Sequence, residues 1–149
     1  MRHLIVWSAI VCVGIWHGGA RAAAAPPCTL ALSAKAETAV DDLKTWPSLY
    51  AFYRQYKICD NGAVAEGVSD AVETLLAKKW STLAGFRETL RADKGFARFV
   101  VGHVDETWNW DDSKPVRESA LHHCPDGLSD FCKAVVKEID DVNAAAKTS

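Results

Sequence analysis

The chain predicts an all-α fold, a compact bundle of about seven short helices with two disulfides. Three observations lead there. Apolar residues recur every three or four positions along nearly the whole chain after Cys28, and no stretch shows a convincing period of two. Cap and turn residues interrupt that pattern at short intervals. Four cysteines follow a leader-like N-terminus, and an even set in an exported chain reads as crosslinks.

The leader reads MRHLIVWSAIVCVGIWHGGARAAAAPPC. A short basic start, Arg2 and His3, precedes the uncharged apolar run Leu4 to Trp16, and small-residue Ala-x-Ala patterns follow. That is the layout of a signal peptide over residues 1–24, cleaved near Ala22 to Ala25, with one domain over 25–149. The apolar run falls short of the about 20 residues that span a bilayer. No twin arginine and no lipidation pattern accompanies it. The expected address is therefore the periplasm or the exterior, with no transmembrane segment after cleavage.

Cleavage removes Arg2 and Arg21, so the 17 Lys and Arg become 15 against an unchanged 19 Asp and Glu, a net charge of −4. Such a surface is a poor match for nucleic acid, and no basic amphipathic stripe offers itself to an anionic membrane. Neither partner is expected.

Cys12 leaves with the leader; Cys28, Cys59, Cys124 and Cys132 remain. Three pairings are open. Cys28–Cys59 with Cys124–Cys132 is favoured because each bond closes a local loop. Chain entropy makes the longer loop worth about 4 kcal/mol and the shorter about 2.5 kcal/mol. Cys124 and Cys132 with His122 and His123 match no zinc spacing, so no metal and no cofactor is expected.

The helices follow in order, with bounds read from a 100° period. Helix 1, about 33 to 45, gathers Ala36, Ala39, Val40 and Leu43, and Trp46-Pro47 ends it. Helix 2, about 48 to 57, gathers Leu49, Phe52, Tyr53 and Tyr56 behind a Ser48 cap. Helix 3, about 60 to 80, starts at Asp60 as cap. Helix 4, about 82 to 92, holds Leu83, Phe86 and Leu90. Asp93 caps helix 5, about 94 to 106, whose inner face includes Phe96, Phe99, Val100, His103 and Val104. TWNWDDSK reads as a loop, after which Ser113 caps helix 6 with Pro115 in its first turn. Asp126 caps helix 7, about 127 to 145, carrying Leu128, Phe131, Cys132, Val135, Val136, Ile139 and Val142.

On helix 3, Val64, Val68, Ala71, Val72, Leu75 and Leu76 share one face. Glu66, Asp70 and Glu73 fall opposite, as a solvated acidic face or a groove that contacts a partner or a cation. Ala63, Gly67 and Thr74 make a strip of small residues that lets another helix come close. The second candidate surface is DETWNWDD, where Trp108 and Trp110 stand among Asp105, Glu106, Asp111 and Asp112. Either one Trp pins the loop to the core, or the loop is a recognition element, since exposed tryptophan is frequent at binding hot spots. The acids do not follow a calcium loop.

Catalytic signatures are missing: there is no Gly-x-Ser-x-Gly, Cys-x-x-Cys, His-Glu-x-x-His or phosphate loop. No catalytic residue is therefore assigned. His103 sits in an apolar stripe, the usual place of a hydrogen-bonded core histidine. Asp105 lies about 160° from it on a helical wheel, which excludes a local dyad.

CDNGAVAEGVSDAVETLLAKKW followed by FARFVVGHVDET resembles a set of exported bacterial proteins of undetermined function, over residues 46–135 and with both late cysteines. The resemblance implies export and a helical fold and brings no activity. In size, helicity and disulfide use the chain is also similar to periplasmic immunity proteins that neutralise secreted toxins, a likeness of architecture without a shared motif. The expected function is a non-catalytic, immunity- or inhibitor-like module for an unknown protein partner. Two alternatives stay open: a small exported enzyme using carboxylates or His103, and a structural envelope protein.

Overall fold

A computed structural model describes residues 27–148; residues 1–26, where the signal peptide is expected, residue 149 and the side chain of Trp110 lie outside the described part. Seven α-helices account for most of it, with no strand among the described residues. Helix α1 (Leu30–Val40) begins where Thr29 accepts a hydrogen bond from the Leu32 N–H. It stops short of its expected end, and a short non-helical segment, 41–45, leads into a next helix that starts earlier than expected. Thr45 and Ser48 form a reciprocal capping box, so Trp46 and Pro47 open α2 (Trp46–Tyr56) rather than closing α1. A proline there gives up only an N–H that has no helical partner. Trp46, Leu49, Phe52 and Tyr53 are buried from α2. A single 3₁₀ turn, Lys57–Cys59, then brings Cys59 back to Cys28.

Helix α3 (Gly62–Lys78) buries Val64, Val68, Ser69, Val72, Leu75 and Leu76. The small-residue strip does what its composition suggests at Gly67, where a methyl would stand 2.3 Å from Val40 Cγ1, so α1 packs almost directly on the α3 backbone. The expected fourth helix is two pieces, a 3₁₀ segment Trp80–Phe86 and α4 (Arg87–Ala92). The 3₁₀ piece begins with local side-chain competition, Thr82 bonding the Lys79 carbonyl, and contains Gly85, a poor helix former.

Asp93 caps α5 (Lys94–Gly102) as expected, accepting from the Phe96 N–H at 2.9 Å. Phe96 sits among Tyr50, Tyr53, Phe86 and Phe99 in an aromatic cluster. The α5 helix ends four residues early, leaving His103 at its C-cap. Helix α6 (Trp110–His122) corrects the expected loop. Asn109 is its cap, accepting from the Asp111 N–H. Ser113 is buried inside the helix instead of capping it, and Pro115 lies beyond the first turn. The carboxylates of Asp111 and Asp112 in the first turn favour that earlier start through the helix dipole. Helix α7 (Ser129–Ala146) follows a turn at Gly127, whose φ of 80° suits glycine. Leu128, not Asp126, occupies its cap position, with no side-chain cap bond.

The core runs through the whole bundle: α1 lies on α2 and α3, α3 on α6, α6 on α7, and α7 on α5. Both favoured disulfides are present, Cys28–Cys59 and Cys124–Cys132. The second staples the end of α6 to the first turns of α7. No helix among the described residues is long and apolar enough to cross a membrane.

Candidate functional site

Where α5 ends, the chain turns beside α3, and two of the buried polar residues, His103 and Ser69, meet there. His103 is 6% exposed and Ser69 is 1% exposed. Ser69 Oγ lies 3.0 Å from His103 Nδ1 and donates to Asp105 Oδ2 at 2.6 Å. On the other side of the ring, His103 Nε2 is 3.1 Å from Asp60 Oδ2. The row Asp60, His103, Ser69, Asp105 therefore joins the entry of α3, its middle and the turn after α5. Burial pushes the Asp105 carboxyl up, but bonds from Ser69 and Thr107 and the nearby His103 outweigh it and hold it below the usual carboxylate range.

Two expectations change here. Asp60 makes no helix cap; its Oδ2 serves His103, and its buried Oδ1 has no protein partner. His103 and Asp105 do not touch, as the wheel implied, yet they are joined through Ser69 because the helix stops at Gly102 and the wheel no longer applies. A serine on the apolar stripe of α3, one turn from Val72 and two from Leu76, was the available sign of this row.

The combination of serine, histidine and aspartate invites a hydrolytic reading, and the geometry opposes it. The hydroxyl hydrogen of Ser69 goes to Asp105, not to the imidazole. Neither Ser69 nor His103 lines any of the main surface cavities. A nucleophile needs a free path to substrate and a base to take its proton. The row holds the turn in place instead.

That turn positions the other candidates. Trp108 is half-buried, and its indole donates to the His103 carbonyl at 2.7 Å. It pins the turn, and its remaining surface borders a small cavity shared with Asp105 and Glu106. Asn109 N–H donates to Glu73 at 2.9 Å. Glu73 is therefore half-buried, whereas Glu66 and Asp70 are exposed on the same helix as expected. Burial pushes the Glu73 carboxyl up, the Asn109 N–H opposes that, and Asp112 and Asp70 push it further up. Asp112 pairs with Lys78 across the α3–α6 contact, and Asp111 faces solvent beside it. Glu73, Asp70 and Asp112 thus come together where α3 meets the start of α6, with Glu66 further back along α3 and Asp111 next to Asp112 in the chain. Among the described residues no cluster of His, Cys, Asp and Glu is arranged to hold a metal ion.

On the other side of α6, a groove of about 640 Å³ runs between α6 and α7. Leu121, Val136 and the Cys124–Cys132 bond form its apolar wall, with Lys133 and Lys137 at the rim. Leu121 is 46% exposed. No family model, curated protein or solved structure matches this chain.

Proposed function

We propose that the chain is an exported, disulfide-stabilised binding module, immunity- or inhibitor-like, that meets a basic protein partner through Glu66, Asp70, Glu73, Asp111 and Asp112 and performs no catalysis. The observation that carries the reading is the electrostatic state of that face. Burial, and then Asp112 and Asp70, raise the cost of ionising Glu73, and the Asn109 N–H and Lys78 offset them only in part. A partner presenting Lys or Arg would relieve this repulsion, which favours fast, oriented association. Export rests on the leader pattern, and the two crosslinks agree with it. An exported hydrolase using His103 finds its residues assembled but closed off, so the binding reading is preferred.

The test is capture from envelope and extracellular extracts by immobilised wild type and by the Glu66→Lys/Asp70→Lys variant. A stoichiometric partner should bind the wild type, weaken steeply with added salt, and lose at least about tenfold in affinity for the variant. Equal binding by the two proteins would remove the acidic face from the account.

A further inference from the structure

The hydrogens in the buried row determine the form of its imidazole. Asp105 accepts from the Thr107 hydroxyl and N–H as well as from Ser69, and as a carboxylate it has nothing to donate. Ser69 owns one hydroxyl hydrogen, and Asp105 receives it. The Ser69 oxygen must then accept from His103, so Nδ1 carries a hydrogen. Nε2 faces the carboxylate oxygen of Asp60, which also accepts, so Nε2 carries one too.

We propose that His103 is a doubly protonated imidazolium clamped between Asp60 and Ser69, and that removing one of its protons unlatches the turn from Val104 to Asn109. Every group facing the ring bears on this. Asp60 comes from the segment before α3, Ser69 from α3, and Asp105 from the turn by way of Ser69. The Phe99 ring of α5 meets the imidazole edge-on at 4.6 Å and supplies no hydrogen-bond partner. Among the described residues, no Lys or Arg bonds to any member of the row.

A neutral imidazole keeps one ring hydrogen. If it stays on Nδ1, a lone pair on Nε2 confronts the Asp60 carboxylate. If it stays on Nε2, Ser69 must turn its hydrogen to Nδ1 and abandon Asp105. Either way one bond of the row is lost, and the half that stays behind includes the buried imidazole, 6% exposed, or the Ser69 hydroxyl, 1% exposed. The segment that loses its anchor carries Trp108, whose indole rests on the His103 carbonyl, and Asn109, which caps α6 and serves Glu73. The latched arrangement needs the second ring proton and the open one does not. Raising the pH therefore favours opening, and lowering it favours closure.

The test reads the wild-type protein directly. Nitrogen-15 spectra of the His103 ring should show both nitrogens protonated at about pH 5.5. The exchange rate of the Trp108 indole hydrogen, divided by that of Trp46, whose indole is held by Thr82, should rise about tenfold between about pH 5.5 and about pH 8. The division removes ordinary base catalysis. His103→Gln, which cannot titrate, should leave the ratio flat. A bare ring nitrogen in the folded protein at the lower pH, or a wild-type ratio that does not move, would overturn the latch. Should His103→Gln not fold, the two wild-type readings decide alone.

Discussion

Replacing Gly67 by alanine tests the closest helix contact in the bundle. The new methyl would lie 2.3 Å from Val40 Cγ1 and 3.4 Å from Val40 Cβ. Carbon atoms rest at about 3.5 to 4 Å, so something must move by more than about 1 Å. Val40 is β-branched and holds one strongly preferred χ1 in a helix, so turning its methyl aside is costly. Nor is α1 free to slide away, because Ala36 is fully buried one turn earlier and Cys28–Cys59 anchors the segment before it. Overpacking of this kind costs about 1–3 kcal/mol. Alanine inside a helix returns about 1 kcal/mol over glycine. The expected net loss is about 1 kcal/mol, read as a lower urea midpoint with unchanged slope. The double-mutant cycle with Val40→Ala isolates the clash. Gly67→Ala should be tolerated far better in the Val40→Ala background, giving a coupling of about 1 kcal/mol or more. A Gly67→Ala protein more stable than wild type, or strictly additive effects, would refute the close packing of α1 on α3.

The two disulfides should differ in worth. Opening Cys28–Cys59 by paired serine substitutions should cost about 4 kcal/mol and opening Cys124–Cys132 about 2.5 kcal/mol, following loop separations of 31 and 8 residues; the reverse order in denaturant midpoints would contradict the loop argument. Asn109→Ala should lose about 1 kcal/mol in the same assay through its cap on α6, while an unchanged midpoint would point to a start at Ser113. Glu73 has its carboxyl pushed up in the folded state, so its ionisation opposes folding as pH rises past the usual carboxylate range. Glu73→Gln should therefore gain stability relative to wild type near neutral pH, and the gain should shrink as acid protonates the wild-type side chain.

Period and punctuation made the bundle legible. The apolar stripes of α3 and α7, the Asp93 cap and the pairing of neighbouring cysteines all follow from local rules. The misplacements occur where two local rules compete. Thr45 and Ser48 both suit a cap, and the reciprocal bond between them decided for Thr45. Asn109 and Ser113 compete likewise, and Ser113 was claimed by the core. Glu66, Asp70 and Glu73 were visible together on a wheel because they share one helix, whereas the approach of Asp112 was not, because Lys78 meets it from 34 residues away. The row through His103 was not, because Asp60 and Ser69 reach it from 43 and 34 residues away in sequence. A helical wheel carries no information about where α5 stops, and that stop brings Asp105 to Ser69.

The most direct test is non-reducing peptide mapping of the protein recovered from its native compartment. An exported, crosslinked bundle should yield a new N-terminus just after the Ala22 to Ala25 region, the peptides of Cys28 and Cys59 joined, those of Cys124 and Cys132 joined, and no thiol that alkylates before reduction. Recovery from the cytosol with the leader attached and four reactive thiols would contradict the account at its foundation.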